Sequence, residues 1–509
     1  MYGRTKTCTL EGLHGHLVEV ETDLTRGLPK MTIVGLPDTA IKESGERVRS
    51  AIKNSGYEYP MNRMTINLFP ANLRKDGTQM DLAILISILA ATGTVIDEAY
   101  QQFVYLGELQ LNGAIGGVLG ALPMVISLRE QGFSKFIVPR ENGEECAVVG
   151  DVDIFAVETV GELVDFLNGK TTLSPVLPQP IDEGPRQYAL DMKDIKGQGP
   201  VKRVLEIAAA GGHNLLMIGP PGSGKSMSAK RLPSILPSMS FEEAIEVTKI
   251  YSVTGLLRGT GLVTQRPFRE PHHTASAVAL IGGGTIPKPG EISLAHNGVL
   301  FLDELPEFSQ RVLEVLRQPM EERTIHIARA NASLEYPANF QLIGAMNPCP
   351  CGHFGSQNHE CTCSMQQIQR YLGRISRPLL DRMDLHIEVQ PVAYEEIREK
   401  KDEVSSTEIR QRVERARQIQ RERYRELKFE TNAALPDKFL EKYCALDAPS
   451  QKLMELAFQR YKFSGRTLGK LLKIARTIAD LKGEEAIGQD DLLEAIRYRS
   501  IEGKYWGKS

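Results

Sequence analysis

No apolar run in this chain reaches the roughly 18 residues that a membrane-spanning helix needs, which excludes that class of structure. The opening residues, Met1-Tyr-Gly-Arg-Thr-Lys6, carry no apolar stretch of the signal-peptide kind, so a cytoplasmic location with no membrane partner is expected. Basic excess is missing too. A formal net charge of −3 argues against a surface that coats nucleic acid broadly, while leaving room for a local basic site such as a ring pore. Cysteine is scarce, 7 residues in 509, and four of them fall within residues 349–363. In a reducing compartment such crowding points to a metal before it points to a disulfide. The remaining composition is ordinary for a globular chain, 41% hydrophobic and 25% charged, and the length suits about three domains.

What the chain does contain is organised around residues 213–226. An apolar run ends there in Gly219, Pro220, Pro221, Gly222, Ser223, Gly224, Lys225 and Ser226. This is the spacing of a phosphate-binding loop, Gly-x4-Gly-Lys-Ser/Thr. Gly222 and Gly224 let backbone N–H groups converge on an oxygen-rich anion where a Cβ would obstruct. Lys225 sets a cation on the β- and γ-phosphates of ATP, and Ser226 offers its hydroxyl to Mg²⁺. A helix starting at the loop adds its N-terminal partial charge. Downstream, Gly298-Val-Leu-Phe-Leu-Asp-Glu304 reads as a buried strand ending in two acids. Asp303 is expected to hold Mg²⁺ and Glu304 to polarise the attacking water. Asn347, closing the apolar run from Phe340, is expected to hydrogen-bond that water or the γ-phosphate.

Residues 1–170 read as mixed α/β, with strands over 17–20, 31–34, 64–68, 136–138 and 154–156. A helix from Met80 ends at Gly93 and is apolar nearly all round, so it belongs in a core. Before it stands Arg74-Lys-Asp-Gly-Thr-Gln-Met-Asp81; after it, Gly107-Glu-Leu-Gln-Leu-Asn-Gly113 predicts a strand pair with a tight Asn-Gly turn. These segments resemble the proteolytic domain of Lon-type proteases. Where that family carries its serine this chain has Gln79, and the lysine position falls in the apolar stretch Val118–Leu122. A Ser-Lys dyad needs both groups, so the expectation is a scaffold or assembly domain, not a protease. Pro175, Pro178, Pro180 and Pro185 then mark a linker.

Between the phosphate loop and Gly298, residues 266–293 include Gly282-Gly-Gly-Thr285 and Lys288. They form either a surface loop or an element that projects into a pore and grips phosphate. His272 and His273 have no ligand-spaced partner, so structural hydrogen bonding is favoured over a metal pair. Residues 323–335 alternate around Ala330-Asn331 and predict a hairpin with Arg329 near its tip. Cys349-Pro-Cys351 and Cys361-Thr-Cys363 supply four thiolates suited to tetrahedral Zn²⁺, with His353 and His359 as spare ligands; redox disulfides or metal-free thiols are the alternatives. From Tyr394 to Lys428 a charged helix carries a narrow stripe of Ile409, Val413, Ala416 and Ile419 or Gln420, and residues 436–500 predict further helices. That charged helix reads as a solvated face ahead of a DNA or subunit contact.

Taken together these motifs resemble the ComM/YifB family of magnesium-chelatase-like AAA+ ATPases, over nearly the whole chain. The most specific segments are Arg266-Pro-Phe-Arg269, Pro271-His-His-Thr-Ala-Ser276, Pro289-Gly-Glu-Ile-Ser-Leu-Ala-His296, the strand running to Phe308, Asn347-Pro-Cys-Pro-Cys-Gly352 and Leu379-Leu-Asp-Arg-Met-Asp-Leu-His386. The resemblance implies a homohexameric ATPase moving on single-stranded or branched DNA, with branch migration in natural transformation as the role. It implies that residues 266–293 contain the helix-2 insertion and residues 323–337 the pre-sensor hairpin. It places Arg382 as the arginine finger that reaches a neighbour's ATP, with an intrasubunit salt bridge to Asp381 or Asp384 as the alternative and Arg374 and Arg377 as competitors. Arg466 matches the second sensor, and by analogy with ring ATPases Gly197 and Gln198 lie near the adenine. The expected fold class is α/β. A P-loop AAA+ core over 193–393 follows a Lon-protease-like α/β domain over 1–170 and a linker over 171–192, and a helical lid over 394–509 closes the chain. A chelatase-like or protein-remodelling ATPase that does not act on DNA is the other functional reading.

Overall fold

In the computed structural model, which describes residues 1–178, 188–257, 261–284, 287–329, 332–356, 359–392, 396, 403–427 and 429–506, the chain forms two units. Met1–Asp182 joins Phe241–Thr264 in the first; Glu183–Ser240 joins Gln265–Ser509 in the second. Pro180 and Pro185 of the expected linker lie outside the described residues.

The first unit holds a seven-stranded sheet ordered β3-β4-β2-β1-β5-β8-β9. Its strands are β1 (Tyr2–Glu11), β2 (His14–Thr25), β3 (Lys30–Val34), β4 (Arg63–Phe69), β5 (Val104–Tyr105), β8 (Lys135–Pro139) and β9 (Asp153–Val157). A short pair, β6 (Glu108–Leu109) and β7 (Ile115–Gly116), lies between β5 and β8 in sequence. The expected strands at 17–20, 31–34, 64–68, 136–138 and 154–156 all fall inside observed ones. The Asn-Gly connection is wider than a two-residue hairpin: Leu109 pairs with Ile115, and Gly113 takes the φ of 87° that closes the loop. The apolar helix runs Asp81–Ala91 and is buried almost throughout, as its all-round pattern requires. At its start Asp81, 1% exposed, accepts from Arg47 Nε at 2.6 Å and from Arg47 again at 3.0 Å. Burial nevertheless pushes the Asp81 carboxyl up to about 6.

The helix Phe241–Thr254, which sequence order places in the ATPase core, belongs to this first unit. Ala244, Val247 and Ile250 are buried on it, it packs on the helix Ala121–Glu130, and Gly120 N donates to Ser252 O at 3.1 Å.

The second unit is built on a parallel sheet ordered β11-β14-β17-β10-β18. The strands are β10 (Leu215–Ile218), β11 (Phe268–Arg269), β14 (Val299–Leu302), β17 (Gln341–Met346) and β18 (Leu385–Glu388). β10, β14 and β17 are buried along their whole length. Such both-faces burial is what continuous apolar runs produce in a parallel sheet, and each buried Leu or Ile contributes about 1.5–3 kcal/mol. Two hairpins extend from it: β12 (Gly282–Gly283) with β13 (Lys288–Pro289), and β15 (Thr324–Arg329) with β16 (Ala332–Pro337). Thr285 and the tip Ala330-Asn331 lie outside the described residues.

Helices Gly199–Gly211, Ser406–Arg423, Gly465–Lys482 and Gln489–Trp506 pack into the same core. The stripe Ile409, Val413, Ala416 is buried as expected. Buried Asp480 ties two of these helices, Gly465–Lys482 and Ser406–Arg423, together, accepting from Arg423 at 2.5 and 2.9 Å, Arg476 at 3.0 Å and Asn432 at 2.8 Å. Among the described residues no helix is long and apolar enough to cross a membrane.

Candidate active site

Three buried strands deliver their tips to one edge. Ile218 of β10 is level with Met346 of β17, so Gly219 and Asn347 follow side by side, and Gly219 N donates to Met346 O at 3.1 Å. Leu302 of β14 is level with Gly344 of β17, which brings Asp303 out at the same edge. Gly219 admits no side chain, because a Cβ there would stand 2.3 Å from Val389 O. Gly222 and Gly224 have φ of 75° and 90°, the left-handed region that glycine enters without a Cβ clash. The helix after the loop is short, Lys225–Ala229.

Lys225 is 8% exposed. Its Nζ donates to Gly219 O at 2.7 Å, Pro220 O at 2.8 Å, Asn347 Oδ1 at 3.2 Å and Ser223 Oγ at 3.4 Å. Burial pushes the ammonium down to about 8, against the pull of Asp303. Ser226 Oγ donates to Asp303 Oδ2 at 2.5 Å, so hydroxyl and carboxylate share one point. These oxygens are the hard donors that Mg²⁺ takes. Gln198 Nε2 donates to Ser223 O at 3.3 Å and Gln390 O at 2.6 Å, while Gly197 N donates to Glu403 Oε1 at 3.0 Å. Gln198 therefore touches the loop itself, while the amide of Gly197 is turned to Glu403.

Glu304 has a φ of 51°, a left-handed conformation that costs a non-glycine residue on the order of 1 kcal/mol. Its exposed carboxylate lies 3.4 Å from His273 Nδ1. The sequence favoured structural hydrogen bonding for the two histidines, and His272 does take that role, Nδ1 to Thr274 Oγ1 at 2.9 Å. The contact of His273 with Glu304 was not foreseen. Its signal is the register of β11 on β14, which motif spacing does not reveal.

Arg382 and Arg466 are not tied to the phosphate loop by any hydrogen bond or ion pair among the described residues. Arg382 donates to Pro378 O at 2.6 Å and pairs with Glu321, where Asp381 or Asp384 had been the expected alternatives. Asp384 is taken by Lys470 at 2.9 Å; burial opposes its ionisation, but Lys470 and His213 hold its carboxyl far below the usual range. Arg466, 80% exposed, reaches Asp381 at 3.8 Å, so the two arginines share one neighbourhood. Arg374 pairs with Glu307 at 2.9 Å, and Arg377 donates to Trp506 O at 2.6 Å. The family-specific Arg266 and Arg269 are structural: Arg266 donates to Pro237 O and Asn297 O, both at 2.7 Å, and Arg269 clamps Glu291 at 2.6 and 2.8 Å.

The Sγ atoms of Cys349, Cys351, Cys361 and Cys363 all lie within 4.8 Å of one another, compatible with a tetrahedral Zn²⁺. Their loop abuts the phosphate loop, since a Cβ on Gly352 would stand 2.5 Å from Pro221 Cδ. In the first unit Gln79 Nε2 donates to Asp76 O at 2.8 Å, and Val118 and Leu122 are buried.

Family models described as magnesium chelatase subunit ChlI, as subunit ChlI of Mg-chelatase and as the ChlI C-terminal region match residues 191–397, 20–142 and 403–499. The competence protein ComM of Haemophilus influenzae is 44% identical over 496 residues, 96% of each chain. YifB of Escherichia coli is 44% identical over 493 residues, again 96% of each, and a Mycobacterium tuberculosis protein is 40% identical over 499 residues, 98% of each.

Proposed function

This chain belongs to the ComM/YifB family of magnesium-chelatase-like AAA+ ATPases, and from that membership we propose that it is an ATP-driven motor working as a homohexamer on single-stranded or branched DNA, in recombination or natural transformation. The observation that carries the reading is the convergence of Lys225, Ser226, Asp303 and Asn347 at one sheet edge. The competence role named for ComM supports the DNA half.

In this reading the amides around Gly222 and Gly224, with Lys225, hold the ATP phosphates. Ser226 and Asp303 hold Mg²⁺, which when bound neutralises phosphate charge. Glu304 polarises the attacking water and Asn347 orients it. Gly197 and Gln198 flank the adenine. Arg382 serves the neighbouring subunit's ATP, and Arg466 acts as the second sensor on the helical lid of residues 394–509. Residues 1–170 form a scaffold or assembly domain without protease chemistry, the amide of Gln79 being committed to backbone. The AAA+ core is residues 193–393, less the 241–264 segment. Zn²⁺ on the four cysteines would stiffen the loop that follows Asn347, and stoichiometric zinc by elemental analysis is the expected result.

The chelatase subunit named by the matching family models favours a second reading, an ATPase that drives metal insertion or remodels a protein without DNA. Forked DNA at low salt should raise ATP turnover of the wild-type chain, and Lys225→Ala should abolish both basal and stimulated rates. Wild-type ATPase that neither binds nor answers to DNA would favour the second reading.

A further inference from the structure

The last turn of the helix Gln489–Trp506 is held from several sides at once. Trp506 Nε1 donates to Leu372 O at 3.2 Å, and Arg377 Nη2 donates to Trp506 O at 2.6 Å. Beside them Lys504 Nζ and Tyr505 Oη both donate to one carboxylate oxygen of Glu388, at 2.5 and 2.6 Å. The Tyr505 ring meets Phe354 edge-on, at 6.3 Å between centroids. Glu388 and Phe354 each lead on to the phosphate loop. Glu388 closes β18 level with Ile218 of β10, and Val389 N donates to Ile218 O at 2.7 Å. Phe354 N donates to Cys349 Sγ at 3.3 Å, in the loop whose Gly352 abuts Pro221. The space left between these pieces is about 20 Å³, room for a single water.

We propose that Tyr505 is a positioning residue for nucleotide binding, which sets the shape of the phosphate loop by two routes. Its hydroxyl fixes the end of β18, where Val389 runs beside Ile218 and Gly219. Its ring fixes the cysteine loop that backs Pro221. Among the described residues Tyr505 makes no hydrogen bond to the phosphate loop, so it acts through these neighbours. A cradle of backbone N–H groups has to be held to within about 0.5 Å of its productive geometry, and the groups behind it do that holding. Close packing passes a small shift on instead of absorbing it. Displacement of either the strand end or the cysteine loop therefore loosens the grip on phosphate. The inference rests on the reading of Gly219–Ser226 as an ATP site and adds to that site a residue from the last turn of the chain's final helix.

The test uses the full-length chain, with nucleotide affinity read by a fluorescent ATP analogue and ATP turnover measured alongside. Tyr505→Phe keeps the ring on Phe354 and drops the bond to Glu388, Phe354→Leu drops the ring contact alone, and Tyr505→Leu drops both. Tyr505→Leu should weaken analogue binding and raise KM for ATP by about three- to tenfold, with kcat within about twofold. Tyr505→Phe and Phe354→Leu should each give part of that loss. The double variant Tyr505→Leu, Phe354→Leu should bind no worse than Tyr505→Leu alone, because either change removes the same ring contact. A contact that serves only the fold would lower the melting temperature and the folded fraction but leave analogue affinity and KM per folded molecule unchanged. That result overturns the proposal. If Tyr505→Leu does not fold, the two milder variants decide by the same criterion. Failure of the wild-type chain to bind the analogue is a different outcome, which removes the ATP site and this inference together.

Discussion

Each unit of this chain buries a lysine next to a glycine-bearing turn, and only one of the two has partners for chemistry. Lys75 is fully buried, and its ammonium donates to the carbonyl of Pro70. Lys225 is nearly as buried and likewise donates to carbonyls, those of Gly219 and Pro220. Burial pushes both amines down. The difference is in what else arrives. Lys225 meets Asn347, has Asp303 close enough to pull on its charge, and is followed by a hydroxyl bonded to that same carboxylate. Around Lys75 the acids are spent elsewhere: Asp76 pairs with Arg74 at 2.9 Å, and Asp38 accepts from Gly77 N at 3.1 Å. A buried, perturbed lysine is thus no site by itself. Convergent donors and acceptors on separate strands make one.

The sharpest way to break the comparison is to remove each amine. Lys225→Ala is expected to abolish ATP turnover, whereas Lys75→Met should leave turnover per folded molecule within about twofold. Lys75→Met strands one carbonyl and should cost about 1–3 kcal/mol, seen in thermal melting. Equal losses of turnover would erase the distinction. Next in size is Arg382→Ala. If the second unit is half of a composite site, mixed hexamers should lose activity at the wild-type neighbour's ATP, by about 10³-fold for a finger. Loss confined to each mutant's own site would instead fit its pairing with Glu321 as its whole role.

Glu304→Gln should keep nucleotide binding and lower turnover by about 10²–10⁴-fold, the range for losing a general base; normal turnover would move that role elsewhere. The first unit offers the matching structural perturbation. Arg47→Met leaves Asp81 buried without its partner and should cost about 3–5 kcal/mol near neutral pH. The cost should shrink in acid. Burial already pushes the Asp81 carboxyl up to about 6, so it takes a proton as pH falls through that region and no longer needs a cation. A cost independent of pH would show that the pair matters only through packing.

What could be read in advance followed a physical divide. Residues 215–218, 299–302 and 341–346 are short apolar runs followed by polar residues, so the position of Lys225, Asp303, Glu304 and Asn347 after buried strands could be read one segment at a time. β1 was not, because its inward positions are Thr5, Thr7 and Thr9 with Cys8 rather than large aliphatics; Thr5 settles its hydroxyl on Ala83 O at 2.9 Å. Nor was His273 beside Glu304, since that pairing depends on which strands are neighbours and in what register. The same limit hid the place of Phe241–Thr254, whose apolar face fits either unit's pattern until its packing partner is known.

The smallest expected effect tests the comparison at its centre. Lys225 titrates near 8 in this site, well below the ordinary lysine value, because burial penalises the charged form more than Asp303 supports it. Nucleotide phosphates need the cation. As pH rises through about 8 the free site loses its proton, and affinity for a fluorescent ATP analogue should fall by no more than tenfold per pH unit. The direction for stability is opposite. Between about 8 and the unfolded lysine value the folded chain binds fewer protons, so this lysine's penalty on the fold fades as pH rises. Lys75→Met should show the same affinity profile as wild type, since Lys75 is pushed down by burial but has no role at the phosphates. Lys225→Arg, whose guanidinium keeps its charge, should bind more weakly and lose the dependence. If the profile instead follows Lys75, the buried amine of the first unit is coupled to the nucleotide, and the contrast between the two lysines fails.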